Sequence, residues 1–429
     1  MKNWSGLENW NPSEILFPES EEAIQLIVKT ALDKKQKIRI IGSGHSFTKL
    51  CVTNDILISL DKYQGLVQTD KSTNQATVKG GTKLKKLGEI LHAEGLAMEN
   101  LGDIDAQSIA GTISTGTHGT GADFGTISTQ VRMIRFVNGL GEIVECSEEE
   151  NVGLFKAAQV SLGALGIITQ ITLQCMPSYK LKMVYEKSSL TDVLKNYKSI
   201  NQTTRNFELY WMPYTDAVLT KKANITNEEV DKIGIGSFFQ EYILENLGFK
   251  IFCELAHYFP SKNRWVSEVS AKTLSTVVKR AYSHNIYATV RAVRFNEMEY
   301  NIPVEAYEQV MKEIQKSFEK NEFQVHFPIE NRFVKGDDIY LSPAFGRDSA
   351  YIACHVYSKK KHEAYFQKME DIFKAHNGRP HWGKLHTRNA NELLQLYPKM
   401  PDFLKHRSEQ DPNQIFINPY LKSLLAIQI

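Results

Sequence analysis

Long apolar runs are missing from this sequence: nowhere do eighteen consecutive residues stay apolar, so no membrane-crossing helix is expected. Cysteine is scarce. The five cysteines, Cys51, Cys146, Cys175, Cys253 and Cys354, are odd in number and scattered, with no CxxC pair. That spacing excludes the common zinc and disulfide frameworks, offers no metal site, and implies reduced, mostly buried thiols. A surplus of either charge is missing too. Lys and Arg total 51 against 49 Asp and Glu, which argues against a nucleic-acid binder. Met1–Glu14 has no apolar segment, so no secretory signal is expected and the cytoplasm is the expected location. The usual phosphate motifs are absent. There is no GxxxxGK[ST], and Gly42-Ser43-Gly44 lacks the third glycine of GxGxxG and the acid that should follow on a second strand.

What remains is an ordinary globular composition, 42% apolar and 23% charged, in a chain long enough for two or three domains. Residues 21–34 carry apolar side chains at helical spacing behind a Ser20 cap. Lys37–Ile41, Ile56–Leu60 and Ala76–Lys79 read as strands. Thr82–Glu94 reads as a helix stopped by Gly95. Val131–Val137, the Asn138-Gly139 turn and Glu142–Cys146 read as a hairpin. A helix near Asn151–Leu162 and a strand Ile167–Cys175 end this unit at Pro177. The order is mixed, without the alternation of a doubly wound nucleotide fold.

Beyond Pro177 the texture changes. Strands are expected at Leu181–Tyr185, Asn206–Met212, Ala217–Lys222, Glu322–Arg332 and Ala350–Tyr357. Helices are expected at Val266–Arg280, Val304–Glu319 and Lys361–His376, with a polar loop over Asn224–Lys232.

Three glycine loops fall in the first unit: Gly42–Ser46, Gly111–Gly121 and Gly163–Gly166. Glycine lets a backbone approach a ligand closely, and the exposed N–H groups of such loops form anion-binding concavities. Ser108, Thr112, Ser114, Thr115, Thr117 and Thr120 add hydroxyl donors. Any one loop reads equally well as a tight turn. Together they suit one elongated ligand carrying a diphosphate.

Five ordered motifs carry a resemblance over nearly the whole chain: "GSGHSF" at Gly42–Phe47, "STGTHGTG" at Ser114–Gly121, "SLGALGIITQITLQCMP" at Ser161–Pro177, "SPAFGRDSAYIACH" at Ser342–His355 and "RPHWGK" at Arg379–Lys384. The chain resembles the flavin oxidoreductases of the vanillyl-alcohol-oxidase fold, in the branch of aldonolactone and alditol oxidases. The resemblance implies an α+β protein. Residues 1–178 would form a two-subdomain FAD-binding domain of the PCMH type. Residues 179–429 would form an α+β substrate domain, whose last ~20 residues return to the FAD domain. It implies FAD joined covalently to His45, whose imidazole is nucleophilic when neutral. Gly42, Ser43, Gly44 and Ser46 would contact the diphosphate. Ser108, Gly111, Ser114, Thr115, Gly116, His118 and Gly121 would line the ring system and diphosphate, with His118 structural rather than catalytic. Gly166 and Ile167 would lie near the adenine or ribose.

Glu330 and Arg332 stand two apart among apolar neighbours, so on a buried strand they project together. Taken alone, such a pair is more often a surface ion pair. The resemblance assigns Glu330, Arg332 and Lys384 to the substrate hydroxyls and the flavin. His355, whose side-chain type suits proton transfer near neutrality, is a further but weaker catalytic candidate, as are Thr387 and His381. The implied reaction takes hydride from a sugar lactone or a polyol, with oxygen or another acceptor receiving the electrons. "ENRFVKGDD" and "GRDSAYIACH" favour a lactone such as L-gulono- or D-arabinono-lactone. Gly383, where many lactone enzymes carry alanine, is the feature favouring an alditol such as xylitol or sorbitol. A non-catalytic protein that kept the fold is the remote alternative.

Overall fold

The protein was described from a computed structural model, which describes residues 1–232, 246–288, 293–320 and 323–427. Its strands are β1 (Glu14–Leu16), β2 (Ile38–Ile41), β3 (Ile56–Ser59), β4 (Leu66–Asp70), β5 (Gln75–Lys79), β6 (Leu96–Met98), β7 (Val131–Asn138), β8 (Ile143–Ser147) and β9 (Gly166–Pro177) in the first part of the chain. β10 (Lys180–Ser189), β11 (Asn206–Trp211), β12 (Ala217–Thr226), β13 (Val277–Tyr282), β14 (Phe295–Pro303), β15 (Ile329–Val334), β16 (Ser349–Tyr357) and β17 (Arg379–Pro380) follow. They form a small parallel sheet β1-β3-β2, a second sheet β4-β5-β9-β7-β8 with β6 paired to β9, and an eight-stranded sheet β13-β10-β12-β11-β15-β16-β14-β17.

Local signals explain the first part well. Ser20 Oγ accepts from the Ala23 N–H at 3.1 Å and opens the helix Glu21–Asp33, whose Ile24, Val28 and Ala31 are buried. The expected hairpin is β7–β8, and the expected helix before Gly95 runs Leu84–Ala93. Ile415 and Phe416 pack among Ile24, Val28, Ile38 and Ile58, so the C-terminal segment lies on the first sheet. Ile38 N donates to Ile415 O at 2.7 Å. Arg39 binds it further: its buried guanidinium donates to the carbonyls of Leu50, Leu162, Gly163 and Phe416.

The eight-stranded sheet is apolar on one face and charged on the other. Leu209, Met298, Tyr300, Ile302, Ile329, Phe333, Ile352 and Cys354 meet Tyr307, Val310, Ile314, Phe366 and Phe373 of the helices Tyr307–Lys320 and Glu363–Ala375 in one core. The intervening residues Glu208, Tyr210, Glu297, Glu299, Glu330, Arg332 and His355 take the opposite face, as the two-residue strand period requires.

Three expected elements differ in the structure, and one strand was not expected. Val266–Arg280 is not one helix: the helix is Asn263–Thr273, Leu274 is extended, and β13 begins at Val277. The β-branched pair Val277-Val278 and a full antiparallel register with β10 outweigh the helical spacing. The expected strand Glu322–Arg332 is shorter and shifted, with β15 starting only after Pro328; Glu322 lies outside the described residues. The loop over Asn224–Lys232 begins later, because β12 continues to Thr226. β14 was not expected at all.

Candidate active site

The glycine turn and the charged sheet face line a single elongated cleft of about 1570 Å³, its open mouth included. At one end lie Gly42–Ser46, Ser108, Gly111, Ser114, Thr115, Gly163 and Gly166. At the other lie Glu297, Glu299, Glu330, Arg332, His355, His381 and Lys384. His118 lines it between them. All three glycine loops therefore open onto the same space. Gly116, Gly121 and Ile167 do not line it. Gly116 faces Pro343, Gly121 faces Phe124 and the Arg205 carbonyl, and Ile167 is in the core beside Val137. Thr387 is also elsewhere, bonded to Glu370.

The turn is built for close approach. A Cβ on Gly42 would meet Ser108 Oγ at 2.5 Å, and Gly44 has φ +66, a conformation that side chains rarely adopt. The N-terminal segment braces it: Trp4 N donates to Gly44 O at 2.7 Å, and Asn3 Nδ2 to Ser46 O at 3.1 Å. The Trp4 ring stacks on His45 with centroids 5.4 Å apart. His45 makes no hydrogen bond among the described residues. Burial, with Lys384 and Lys83 nearby, lowers its pKa to about 4, so the imidazole is neutral near pH 7. The turn is tied to the Lys384 loop through Phe47 N, which donates to Gly383 O at 2.7 Å.

Across the cleft, Arg332 on β15 sits in a cluster of buried charges. Its Nε donates to Glu208 Oε2 at 2.8 Å, its Nη2 contacts Glu330 Oε1, and Asp103 lies 3.5 Å away. Lys221 contacts Glu208 and lies 3.6 Å from Asp103; Tyr210 OH donates to Glu330 at 2.8 Å. Burial opposes the charge on Arg332, but Glu330, Glu208 and Asp103 outweigh it and hold the guanidinium well above its ordinary value. Lys384 Nζ donates to Glu297 Oε2 at 2.5 Å and lies 5.0 Å over the Phe47 ring. His118 reaches Glu299 at 3.1 Å and stacks on Tyr351. His381 is buried, its pKa lowered to about 4 by that burial and by Lys384 and His118.

Sequence reasoning found Glu330, Arg332, Lys384 and His355, which the fold brings to one face. It missed Glu297, Glu299, Asp103, Glu208, Lys221 and Trp4. The alternation Phe295-Asn296-Glu297-Met298-Glu299-Tyr300 was a readable strand signal for the first two; the others come from distant segments with no local mark.

A narrow glycine-floored trough with six lining hydroxyls, those of Ser43, Ser46, Ser108, Ser114, Thr115 and Thr117, fits a dinucleotide laid along it. Residues 12–147 match the FAD binding domain family, and residues 171–424 match the family described as D-arabinono-1,4-lactone oxidase. The chain belongs to the D-arabinono-1,4-lactone oxidase family. It is an FAD-dependent oxidoreductase acting on CH–OH groups. Among curated relatives of the family, it is 36% identical to an L-gulono-1,4-lactone dehydrogenase of Mycobacterium tuberculosis over 99% of this chain and 98% of the relative. It is 30% identical to the L-gulonolactone oxidase of Mus musculus over 99% and 97%. Among solved structures, it superposes on cholesterol oxidase from B. sterolicum with a TM-score of 0.81 at 16% identity, over 99% of this chain and 96% of that one. For a chitooligosaccharide oxidase the TM-score is 0.72 at 12% identity, over 99% and 94%. These two likenesses bear out the expected PCMH-type α+β fold and nothing further. No helix among the described residues is long and apolar enough to cross a membrane.

Proposed function

We propose that the protein oxidises an aldono-1,4-lactone, L-gulono- or D-arabinono-lactone, and that its FAD is joined covalently to His45. The observation that carries this reading is the meeting, in one cleft, of a neutral histidine on a glycine turn with the Glu330–Arg332–Lys384–His355 set. Bound there, FAD supplies a two-electron acceptor for hydride. Gly42–Ser46, Ser108–Thr115 and Gly163–Gly166 would hold it.

The chain's own residues account for the rest. Arg332 and Lys384 present N–H donors to the lactone oxygens, and Glu330, held by Tyr210, accepts from a hydroxyl. Cations that are themselves buried in the cleft wall favour negative charge developing beside them. His355 takes the proton of the reacting hydroxyl. Its Nδ1 lies 3.3 Å from the Pro328 carbonyl, an acceptor, so the neutral ring keeps its hydrogen on Nδ1 and leaves Nε2 bare. The match over 171–424 and the lactone-acting relatives favour a lactone over an alditol. Gly383 weighs little against this: a Cβ there would meet its nearest atom, His381 Cε1, at 3.3 Å, so alanine nearly fits. Oxygen or another acceptor reoxidises the enzyme, and five free cysteines suit the reducing cytoplasm.

The test is a steady-state screen of L-gulono- and D-arabinono-1,4-lactones against xylitol and sorbitol, with an artificial acceptor and with oxygen. Turnover of a lactone at a kcat/KM well above that of both polyols is the expected result; preference for a polyol would overturn the substrate assignment.

A further inference from the structure

Glu297 is 5% exposed and stands on β14 directly opposite His355 on β16. One carboxylate oxygen accepts from Lys384 Nζ at 2.5 Å; the other lies 3.5 Å from His355 Nε2. Burial pushes this carboxyl up, but the Lys384 ammonium outweighs it and holds the group below the usual carboxylate range, so it stays ionised. The neighbouring acid on the same face, Glu299, is already committed to His118 at 3.1 Å. The Nδ1–H tautomer of His355 turns a bare Nε2 toward the cleft and toward Glu297. An acceptor facing a carboxylate gains nothing from it. The contact becomes favourable only when Nε2 takes up a proton.

Resting on the lactone-oxidising reading above, we propose that Glu297 is a positioning residue that holds the Lys384 ammonium at the cleft wall and stabilises the His355 imidazolium as the substrate gives up its hydroxyl proton. The O–H proton moves to His355 Nε2, the C–H hydrogen leaves with its electron pair to the bound FAD, and the carbon becomes a carbonyl. Glu297 neither gains nor loses a proton. The titratable groups lining the cleft around His355 are Glu297 and Glu299 from β14, Glu330 and Arg332 from the adjacent β15, His381 and Lys384 from the loop after β17, and His45 from the glycine turn; Phe295 meets the ring edge-on.

The experiment compares FAD-loaded wild type with Glu297→Gln and Glu297→Asp. Two quantities are read: the midpoint potential of the bound FAD without substrate, and the pH profile of kcat and KM for L-gulono-1,4-lactone. In E297Q a negative charge leaves the cleft wall, so the potential becomes more positive. Its kcat falls by about tenfold or more with a much smaller change in KM. The acid limb of its kcat/KM profile moves to lower pH. E297D, which keeps the charge on a shorter side chain, recovers part of all three without reaching the wild-type values. An unmoved potential, or an unmoved acid limb, overturns the proposal. If E297Q does not fold, E297D is compared with wild type: the shorter acid lengthens both contacts, so smaller shifts in the same directions are expected and identical values overturn it. Wild type inactive on both lactones would refute the substrate reading, while the potential still decides the role of Glu297.

Discussion

Replacing Arg332 with methionine removes the guanidinium from a cluster in which Asp103, Glu208 and Glu330 face Lys221 and Arg332. Three buried carboxylates would then share one cation. Removing one partner of a buried ion pair costs about 3–5 kcal/mol, because the other charge stays buried without compensation. The loss depends on pH with a definite sign. Burial raises Glu208, but Lys221 and Arg332 outweigh it and hold it below the usual carboxylate range. A carboxylate whose folded pKa is depressed contributes stability that is present above its unfolded pKa and lost as pH falls through the folded one. Without Arg332 that depression shrinks or reverses, so the contribution missing from the variant is largest at neutral and alkaline pH. The two proteins converge only as the pH falls below the ordinary carboxylate range, about 4, and through the depressed folded value. The assay is thermal unfolding of both proteins, followed by tryptophan fluorescence, at about pH 8 and about pH 3. R332M should melt well below wild type at the higher pH and closer to it at the lower. Equal losses at both pH values, or none at either, would refute the charge-cluster reasoning.

Gly42→Ala should lower FAD occupancy, read as visible absorbance per protein, because its Cβ would meet Ser108 Oγ at 2.5 Å; G42A combined with S108A should recover part of it. His45→Ala should fold and still take up some FAD, but its colour should leave on acid precipitation, whereas in wild type a flavin mass should stay on the His45 peptide. Arg39→Met removes donors to four backbone carbonyls, including Phe416, and should raise amide exchange around Ile415–Leu424 well before global unfolding.

The parts of the site legible in sequence are those written in one stretch. Gly42–Ser46 announces a turn because glycine and serine are poor choices for anything else there, and Glu330 with Arg332 announces a shared face because strands repeat every two residues. The cleft's other half depends on pairing between segments far apart. Glu297 acquires meaning only when β14 lies against β16 with His355 opposite, and Lys384 only when Phe47 binds Gly383, more than three hundred residues away in the chain. Asp103 stands beside Gly102 with no local pattern to mark it, yet it is 8% exposed and faces Lys221 and Arg332. Val277–Tyr282 was hidden because a helical spacing runs straight into it, and only the register with β10 separates the two. Sequence patterns report which face is buried; they do not report which strand will lie beside it.

One cleft must hold both flavin and lactone for hydride to pass between them. Anaerobic addition of L-gulono- or D-arabinono-1,4-lactone to the purified yellow protein should bleach its visible flavin band, and that band should still be bleached by either lactone, only more slowly, in E297Q. Protein that carries flavin but keeps its full colour in excess of both lactones would contradict it.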